Sequence, residues 1–318
     1  MTKTACLKNH SVYVESEFAP LKRAILSQSE CIAAQGNGSE ADDRDLFSLL
    51  MKRERENLKA LLESYGVEVL LPRKLSEEEK KTALLPDGLT RGAGMTNFFS
   101  RDPILVAGDN IIELNLKDEH RRCEVFAMRD ILTAESDKGN CRYLSMPRIN
   151  TFEEATAPFL EGGDVLVLGK TVYVGVSDHA TNEYGYQWLK SYLSSSGYNV
   201  KAVRVSGKYY HLDCMMSFVR EGLMIVCEDH LPEGIPSEFS SWDKIHVPAE
   251  EAARLAVNGL PVNEEVYITD IAFRDTLGKE LKERGVEVEY LDFRFTRTHK
   301  GAFRCSVNPL LREYEIAH

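Results

Sequence analysis

Four short motifs hold the side chains best suited to chemistry in this chain. Cys305 lies in His299-Lys-Gly-Ala-Phe-Arg-Cys-Ser-Val-Asn-Pro309, beside Arg304 and between Gly301 and Pro309. Flanking glycine and proline favour a loop that exposes the thiol, and a neighbouring cation favours the thiolate, the form that attacks. Phe98-Phe-Ser-Arg-Asp-Pro103 sets Arg101 and Asp102 at a turn. Leu160-Glu-Gly-Gly-Asp-Val165 puts Glu161 and Asp164 around a glycine pair that permits close backbone approach. Tyr209-Tyr-His-Leu-Asp-Cys214 places His211 and Asp213 two residues apart, on one face of an extended strand. Each has an ordinary structural explanation: buried cysteines act as small hydrophobes, Asp-Pro and Gly-Gly-Asp are common in turns, and most single histidines are structural. Their coincidence in one chain argues for function.

A cysteine, a histidine and several carboxylates suit some reactions and not others. Hydrolysis of a carbonyl by a Cys-His pair builds negative charge on oxygen, so its site needs hydrogen-bond donors. Carboxylates suit a cation. A planar guanidinium offers five N–H donors that two carboxylates can grip, which orients its central carbon toward a thiolate while positive charge persists through the transition state.

The elements that must position these groups repeat. An amphipathic helix, a glycine and a strand recur at Asn57–Gly66 before Val67–Pro72, at Trp188–Gly197 before Tyr198–Val205, and at Leu277–Gly285 before Val286–Leu291. Between them lie apolar strand candidates at 104–107, 110–114, 165–168, 172–176 and 223–227. Val165 to Val176 reads as a hairpin turning at Gly169-Lys170, so strand directions are mixed, unlike a doubly wound parallel sheet. No Gly-x-Gly-x-x-Gly or Walker-type loop follows any strand, so no nucleotide is signalled. Polar stretches at 34–43, 75–81 and 232–241 read as surface loops, none long enough for a domain linker.

With 318 residues, 43% hydrophobic and 28% charged, the chain reads as an ordinary globular protein. No apolar run approaches the roughly 20 residues of a membrane span. The segment Met1–His10 lacks the apolar stretch of a secretory signal, so the expected location is the cytoplasm. Seven cysteines without a Cys-x-x-Cys pair point to reduced thiols and not to a disulfide framework or a zinc ribbon. A net charge of -11 and a pI near 5.3 argue against a nucleic-acid surface and suit a small cationic substrate.

In the order Phe-Phe-Ser-Arg-Asp-Pro, Glu-Gly-Gly-Asp, His-Leu-Asp and C-terminal Arg-Cys, residues 12–313 resemble the guanidino-group-modifying enzymes: arginine deiminases, dimethylarginine hydrolases and arginine amidinotransferases. The resemblance implies a pentein-type α/β propeller, five ββαβ-like units around a pseudo-fivefold axis, with residues 1–318 as a single catalytic domain and the site in the central channel. It implies Cys305 as nucleophile, His211 as general acid and then base, and Glu161 as its orienting partner. Asp102 and Asp213 would hold guanidinium nitrogens, with Asp164 beside them. Arg121, in Glu119-His-Arg-Arg-Cys-Glu124, falls where the family keeps an arginine for the substrate carboxylate, with Arg122 as a rival. The implied partner is a small guanidino compound, with no cofactor, metal, nucleic acid or membrane; self-association is left open.

The implied mechanism is attack by the Cys305 thiolate on the amidino carbon, protonation of the leaving nitrogen by His211, and a covalent thiouronium. Loss of ammonia followed by water gives citrulline, a deiminase-like hydrolase; loss of ornithine followed by an amine gives a transferase. A non-catalytic guanidino-binding protein is the third reading. Glu161, His-Leu-Asp and Arg304-Cys305 resemble the deiminases. Asn110-Ile-Ile-Glu with Arg121, Glu124, Ala127 and Arg129 resembles the amidinotransferases. Two features depart from the family: the glycine run before the cysteine is reduced to Gly301-Ala-Phe, and no extra helical domain supplies a lid. Asp102 stands where arginine dihydrolases carry asparagine, which argues against that two-step reaction.

Overall fold

The computed structural model describes residues 10–28, 30–31, 39–81, 95–96, 98–149, 156–206 and 211–314. Among them are five three-stranded sheets of one pattern: a first strand pairs antiparallel with a central strand, which pairs parallel with a third. In the first sheet these are Val307–Arg312, Leu21–Leu26 and Glu68–Leu70, so the last strand of the chain pairs with its first. The second sheet has Ile104–Ala107, Asn110–Glu113 and Arg142–Ser145; the third has Val165–Leu168, Thr171–Val176 and Asn199–Arg204. The fourth has Met216–Arg220, Leu223–Val226 and Asp243–His246; the fifth has Leu260–Pro261, Val266–Asp270 and Glu287–Leu291.

A parallel pair needs a crossover. In four sheets that crossover carries a helix: Ser39–Ser64, Arg129–Asp137, Glu183–Ser194 and Leu277–Glu283. Each returns through a glycine in the left-handed region, Gly66, Gly139, Gly197 and Gly285, which a side chain would strain. In the fourth sheet the described crossover contains only the 3-10 turns Glu228–His230 and Ser237–Phe239. The helix-glycine-strand signal is therefore missing there, and in the second sheet it is confined to a nine-residue helix. The sequence shows the helix-glycine-strand repeat in three units; among the described residues it is present in four, and the three-stranded sheet in five.

Burial grades across every sheet. First strands such as Ile104–Ala107 and Val307–Arg312 are buried at every position, whereas third strands such as Arg142–Ser145 and Asp243–His246 are exposed at both ends. A strand covered on both faces must be apolar throughout, and a half-covered one alternates. Apolar side chains of the first, third, fourth and fifth sheets share the largest cluster, with Leu58 and Leu62 of the helix Ser39–Ser64.

Hydrogen bonds join consecutive sheets. The Asn308 amide reaches the Ile104 carbonyl, Gly162 N donates to Asp102 O, Leu212 N to Asp164 Oδ1, and the Asn258 amide to Asp213 O. Leu21 N donates to Val262 O, which links the first sheet to the fifth.

Three expectations are corrected. The helix Ser39–Ser64 begins inside the stretch read as a loop at 34–43, whose residues 34–38 lie outside the described residues. Glu77–Lys81 is also helical. Ser76 Oγ accepts from Glu79 N while Glu79 Oε2 accepts from Ser76 N, a capping box whose Ser-x-x-Glu signature stands in the sequence. His211 and Asp213 do not share a strand face: Leu212–Cys214 is a 3-10 turn with His211 at its cap, and Tyr209 and Tyr210 lie outside the described residues. No described helix is long and apolar enough to cross a membrane.

Candidate active site

Each sheet contributes a polar residue just ahead of its first, buried strand. Asp102 precedes Ile104, Asp164 precedes Val165, Asp213 precedes Met216, Asn258 precedes Leu260 and Cys305 precedes Val307. The repeated topology delivers five backbone segments to one place, and the residue at each entry sets the chemistry.

One side of this place holds the acid-base groups. Glu161 Oε2 accepts from His211 Nε2 at 2.9 Å, and Glu161 Oε1 accepts from Lys117 N at 3.0 Å. His211 Nδ1 lies 3.6 Å from Asp102 Oδ1. Burial works against a charged imidazole, but Asp102 and Asp164 nearby, with bonds to Cys305 and Glu161, hold the His211 pKa well above its usual value. Burial would also neutralise Glu161, yet the His211 bond and charge and the Arg121 guanidinium bring its carboxyl down to about 2. Each partner therefore favours the charged form of the other.

The glycine pair makes this packing feasible. A Cβ on Gly163 would sit 2.4 Å from His211 Nδ1 and 2.9 Å from Asp102 Oδ1, and one on Gly162 would sit 2.0 Å from the Arg101 carbonyl. Only glycine lets the Glu-Gly-Gly-Asp backbone pass beneath the histidine.

Arg121 enters the same cluster. Its Nη2 donates to Asp102 Oδ2 at 2.9 Å and to Glu124 Oε2 at 3.0 Å, Nε donates to Glu124 Oε1, and Nη1 lies 3.8 Å from Glu161. Asp102 and Glu161 thus face two cations, the Arg121 guanidinium and the imidazole of His211. Asp102 Oδ1 is buried with no hydrogen-bond partner and faces His211 Nδ1 at 3.6 Å, beyond hydrogen-bond distance.

The other side holds sulfur. Cys305 sits in the single helical turn Phe303–Ser306 and is 2% exposed, so the expected open loop is replaced by a buried turn. Asn258 Oδ1 accepts from Ala302 N at 3.0 Å and from Cys305 N at 3.3 Å, which fixes that turn. A Cβ on Gly301 would lie 2.4 Å from the Phe99 ring, so Gly301 is the position that requires glycine, while Ala302 fits. The Cys305 sulfur packs with Met51, Phe98 and Phe99 and lies 3.6 Å from Asp213 Oδ2. A hydrogen bond from Cys214 and, with burial and Asp213 opposing, another from His211 lower its pKa.

Arg304 does not turn toward the thiol. Its guanidinium pairs with Asp213 Oδ2 at 2.8 Å and with Glu17, because one helical turn points adjacent side chains in different directions. The cation beside Cys305 in sequence thus neutralises the carboxylate beside Cys305 in space. Glu17 gathers Arg304, Arg101 and Arg312, and despite burial their charges hold its carboxyl at about 2.

Two further expectations change. Asp164 accepts from Leu212 N at 2.9 Å and Thr181 N at 3.2 Å, so both oxygens serve the backbone, and burial pushes its pKa up to about 6. Arg122 donates to the Leu116 and Lys117 carbonyls and stacks over Phe159, so Arg121 is the arginine that meets the acidic groups. Arg121 spends its donors on protein carboxylates, where an arginine kept for a substrate carboxylate had been expected. Sequence reading missed Asn258 and Glu17. Asn258 carries the one available signal, two positions ahead of an apolar segment as Asp102 and Cys305 are.

The family model described as N,N dimethylarginine dimethylhydrolase, eukaryotic, matches residues 43–312. Inosamine-phosphate amidinotransferase 1 of Streptomyces glaucescens is 28% identical over 339 aligned residues, covering 93% of this chain and 95% of that one. N(G),N(G)-dimethylarginine dimethylaminohydrolase of Streptomyces coelicolor is 37% identical over 101 residues, 31% of this chain and 36% of its own. Among solved structures, SxtG, an amidinotransferase of Microseira wollei in the saxitoxin biosynthetic pathway, superposes with a TM-score of 0.81 at 20% identity, covering 96% of this chain and 99% of that one. Joined to the α/β pentein fold and to the motifs that carried the resemblance, these matches give the identification: the chain belongs to the N,N dimethylarginine dimethylhydrolase family of guanidino-group-modifying enzymes.

Proposed function

We propose that this protein is a hydrolase of arginine or a close guanidino analogue, working through a covalent bond to Cys305. The observation that carries the reading is the pairing of a thiol of lowered pKa with a charged His211, next to the unpartnered Asp102 oxygen. A guanidinium N–H directed at Asp102 Oδ1 would set the central carbon between sulfur and imidazole. The Cys305 thiolate forms the S–C bond; the C–N bond to the departing nitrogen breaks as His211 gives that nitrogen a proton. Neutral His211 then takes a proton from water as its oxygen bonds the same carbon, and the S–C bond breaks to return the thiolate. From arginine the products are citrulline and ammonia. Arg304 and Arg121 hold the Asp213 and Asp102 carboxylates in place by hydrogen bonds.

Arrangement of the five sheets about a pseudo-fivefold axis, with the chain as one catalytic domain, belongs to the same proposal. It is supported by hydrogen bonds that link the sheets in order and return to the first. The free described cysteines suit a reducing, cytoplasmic setting.

A second reading, amidino transfer to an amine, is favoured by relatives of nearly equal length that are amidinotransferases. Incubation with arginine, with and without amine acceptors, separates the two. Citrulline and ammonia without an acceptor support the hydrolase; ornithine formed only with an acceptor replaces it by the transferase. Calorimetric binding of arginine with no product would overturn both in favour of a binding protein.

A further inference from the structure

The mechanism above gives no task to Asp164, a fully buried carboxylate whose hydrogen bonds lead to both halves of the acid-base pair. Its Oδ1 accepts from Leu212 N at 2.9 Å. Leu212 follows His211 and opens the 3-10 turn Leu212–Cys214, whose first N–H has no partner within the turn. Asp164 Oδ2 accepts from Thr181 N at 3.2 Å, and the Thr181 hydroxyl accepts from Glu161 N at 3.0 Å. Asp164 N donates to Glu161 O at 3.0 Å. Both backbone groups of Glu161 and the first amide after His211 therefore lead to one residue. The strand Thr171–Val176 closes in on the same carboxylate: a Cβ on Gly175 would lie 2.6 Å from Asp164 Oδ1 and 2.8 Å from Leu212 Cβ. Ser177 N then donates to Thr181 O, which folds the following loop back so that Thr181 meets Asp164.

We propose that Asp164 is a positioning residue for the acid-base pair: it fixes the backbone of Glu161 and of His211 together, and so sets the 2.9 Å bond between them. A carboxylate suits the task because it accepts at both oxygens, whereas an amide accepts at one. Asparagine at 164 keeps the size, leaves either Leu212 N or Thr181 N facing an NH2 group, and removes a negative charge near His211. The charged and titratable groups facing the imidazole are Asp102 at 3.6 Å, Glu161 at 2.9 Å, Asp164 and the Cys305 thiol, with Arg121 3.8 Å from Glu161. The inference rests on His211 and Glu161 being the acid-base pair of the proposed reaction, and its main readout needs no substrate.

Imidazole 1H–15N spectra across pH, with the His211 signals assigned by comparison with His211→Asn, read the protonation of His211 directly. Asp164→Asn should weaken proton binding by His211 about tenfold, because a nearby carboxylate is lost, and should lower kcat on arginine about tenfold with KM within about twofold. A purely structural carboxylate would change stability alone. A folded Asp164→Asn protein whose His211 titration matches wild type, whatever its melting temperature, overturns the proposal. Where that variant does not fold, Thr181→Val decides: it keeps the Thr181 N–H to Asp164 and loses only the acceptor for Glu161 N. It should move the His211 titration in the same direction and lower kcat about threefold; an unaltered titration overturns the proposal. If His211→Asn kept turnover, the acid-base assignment would fall separately, whatever Asp164 does.

Discussion

The acid-base side and the sulfur side of the site are both built from buried charge, yet they treat that charge differently. On the sulfur side, Asp213 is held by Arg304 and flanked by both sulfurs, and Cys305 is closed in by Met51, Phe98 and Phe99. On the acid-base side, His211 and Arg121 keep partial exposure, and Asp102 keeps an unused oxygen. A fully paired region is rigid and has no free acceptor for a ligand; an unpaired buried acceptor costs stability and is retained where a ligand completes it. On the proposed reading, the difference assigns substrate capture to the acid-base side and bond formation to the sulfur side.

The comparison breaks first at the nucleophile. Cys305→Ser should lower kcat by at least about 10³-fold with the far-UV spectrum unchanged, measured by citrulline or ornithine formation. Replacing His211 by Asn should cost about 10²–10⁴-fold, because it removes the proton donor and leaves Glu161 without its charged partner. A kcat within threefold of wild type for either variant would refute the assigned division of labour.

Next in size is Arg121, set against its neighbour. Arg121→Met leaves Asp102 and Glu124 buried without their cation, and should destabilise the protein by on the order of 3 kcal/mol in urea unfolding while raising KM. Arg122→Met loses contacts to two carbonyls and should cost about 1 kcal/mol with KM little changed. Equal effects would erase the distinction between the two arginines. Gly163→Ala forces His211 and Asp102 apart and should lower kcat about tenfold, more than it lowers the unfolding midpoint.

The smallest test is the pH profile of kcat/KM. Activity should rise with pH as the Cys305 thiol ionises, at a pH below the usual 9, because its pKa is lowered. It should fall again only as the imidazolium is lost, well above 6.5, because the His211 pKa is raised. An alkaline limb centred near 6.5 would show that His211 is not charged by its carboxylates.

The readable part of the fold came from local contrast. Val67–Pro72, Tyr198–Val205 and Val286–Leu291 stood out because each follows an amphipathic helix and a glycine. Leu260-Pro261 did not, since two residues show no period, and with it Asn258 was overlooked. Glu17 lay in no motif at all; only the gathering of Arg101, Arg304 and Arg312 gives it a role.

By itself the sequence determined the chemical inventory: a thiol, a histidine, carboxylates around a glycine pair, and their order along a chain that resembles guanidino-modifying enzymes. Such residue types and spacings are local properties, which a single chain displays before it folds. Tertiary structure decided the pairing. Arg304, next to Cys305 in sequence, serves Glu17 and Asp213; Asp213, ninety-two positions from Cys305, is the carboxylate beside its sulfur. The physical reason is that buried charges and donors settle with whichever partners the converging strand entries bring within about 4 Å, and in this repeated topology those partners come from different sheets.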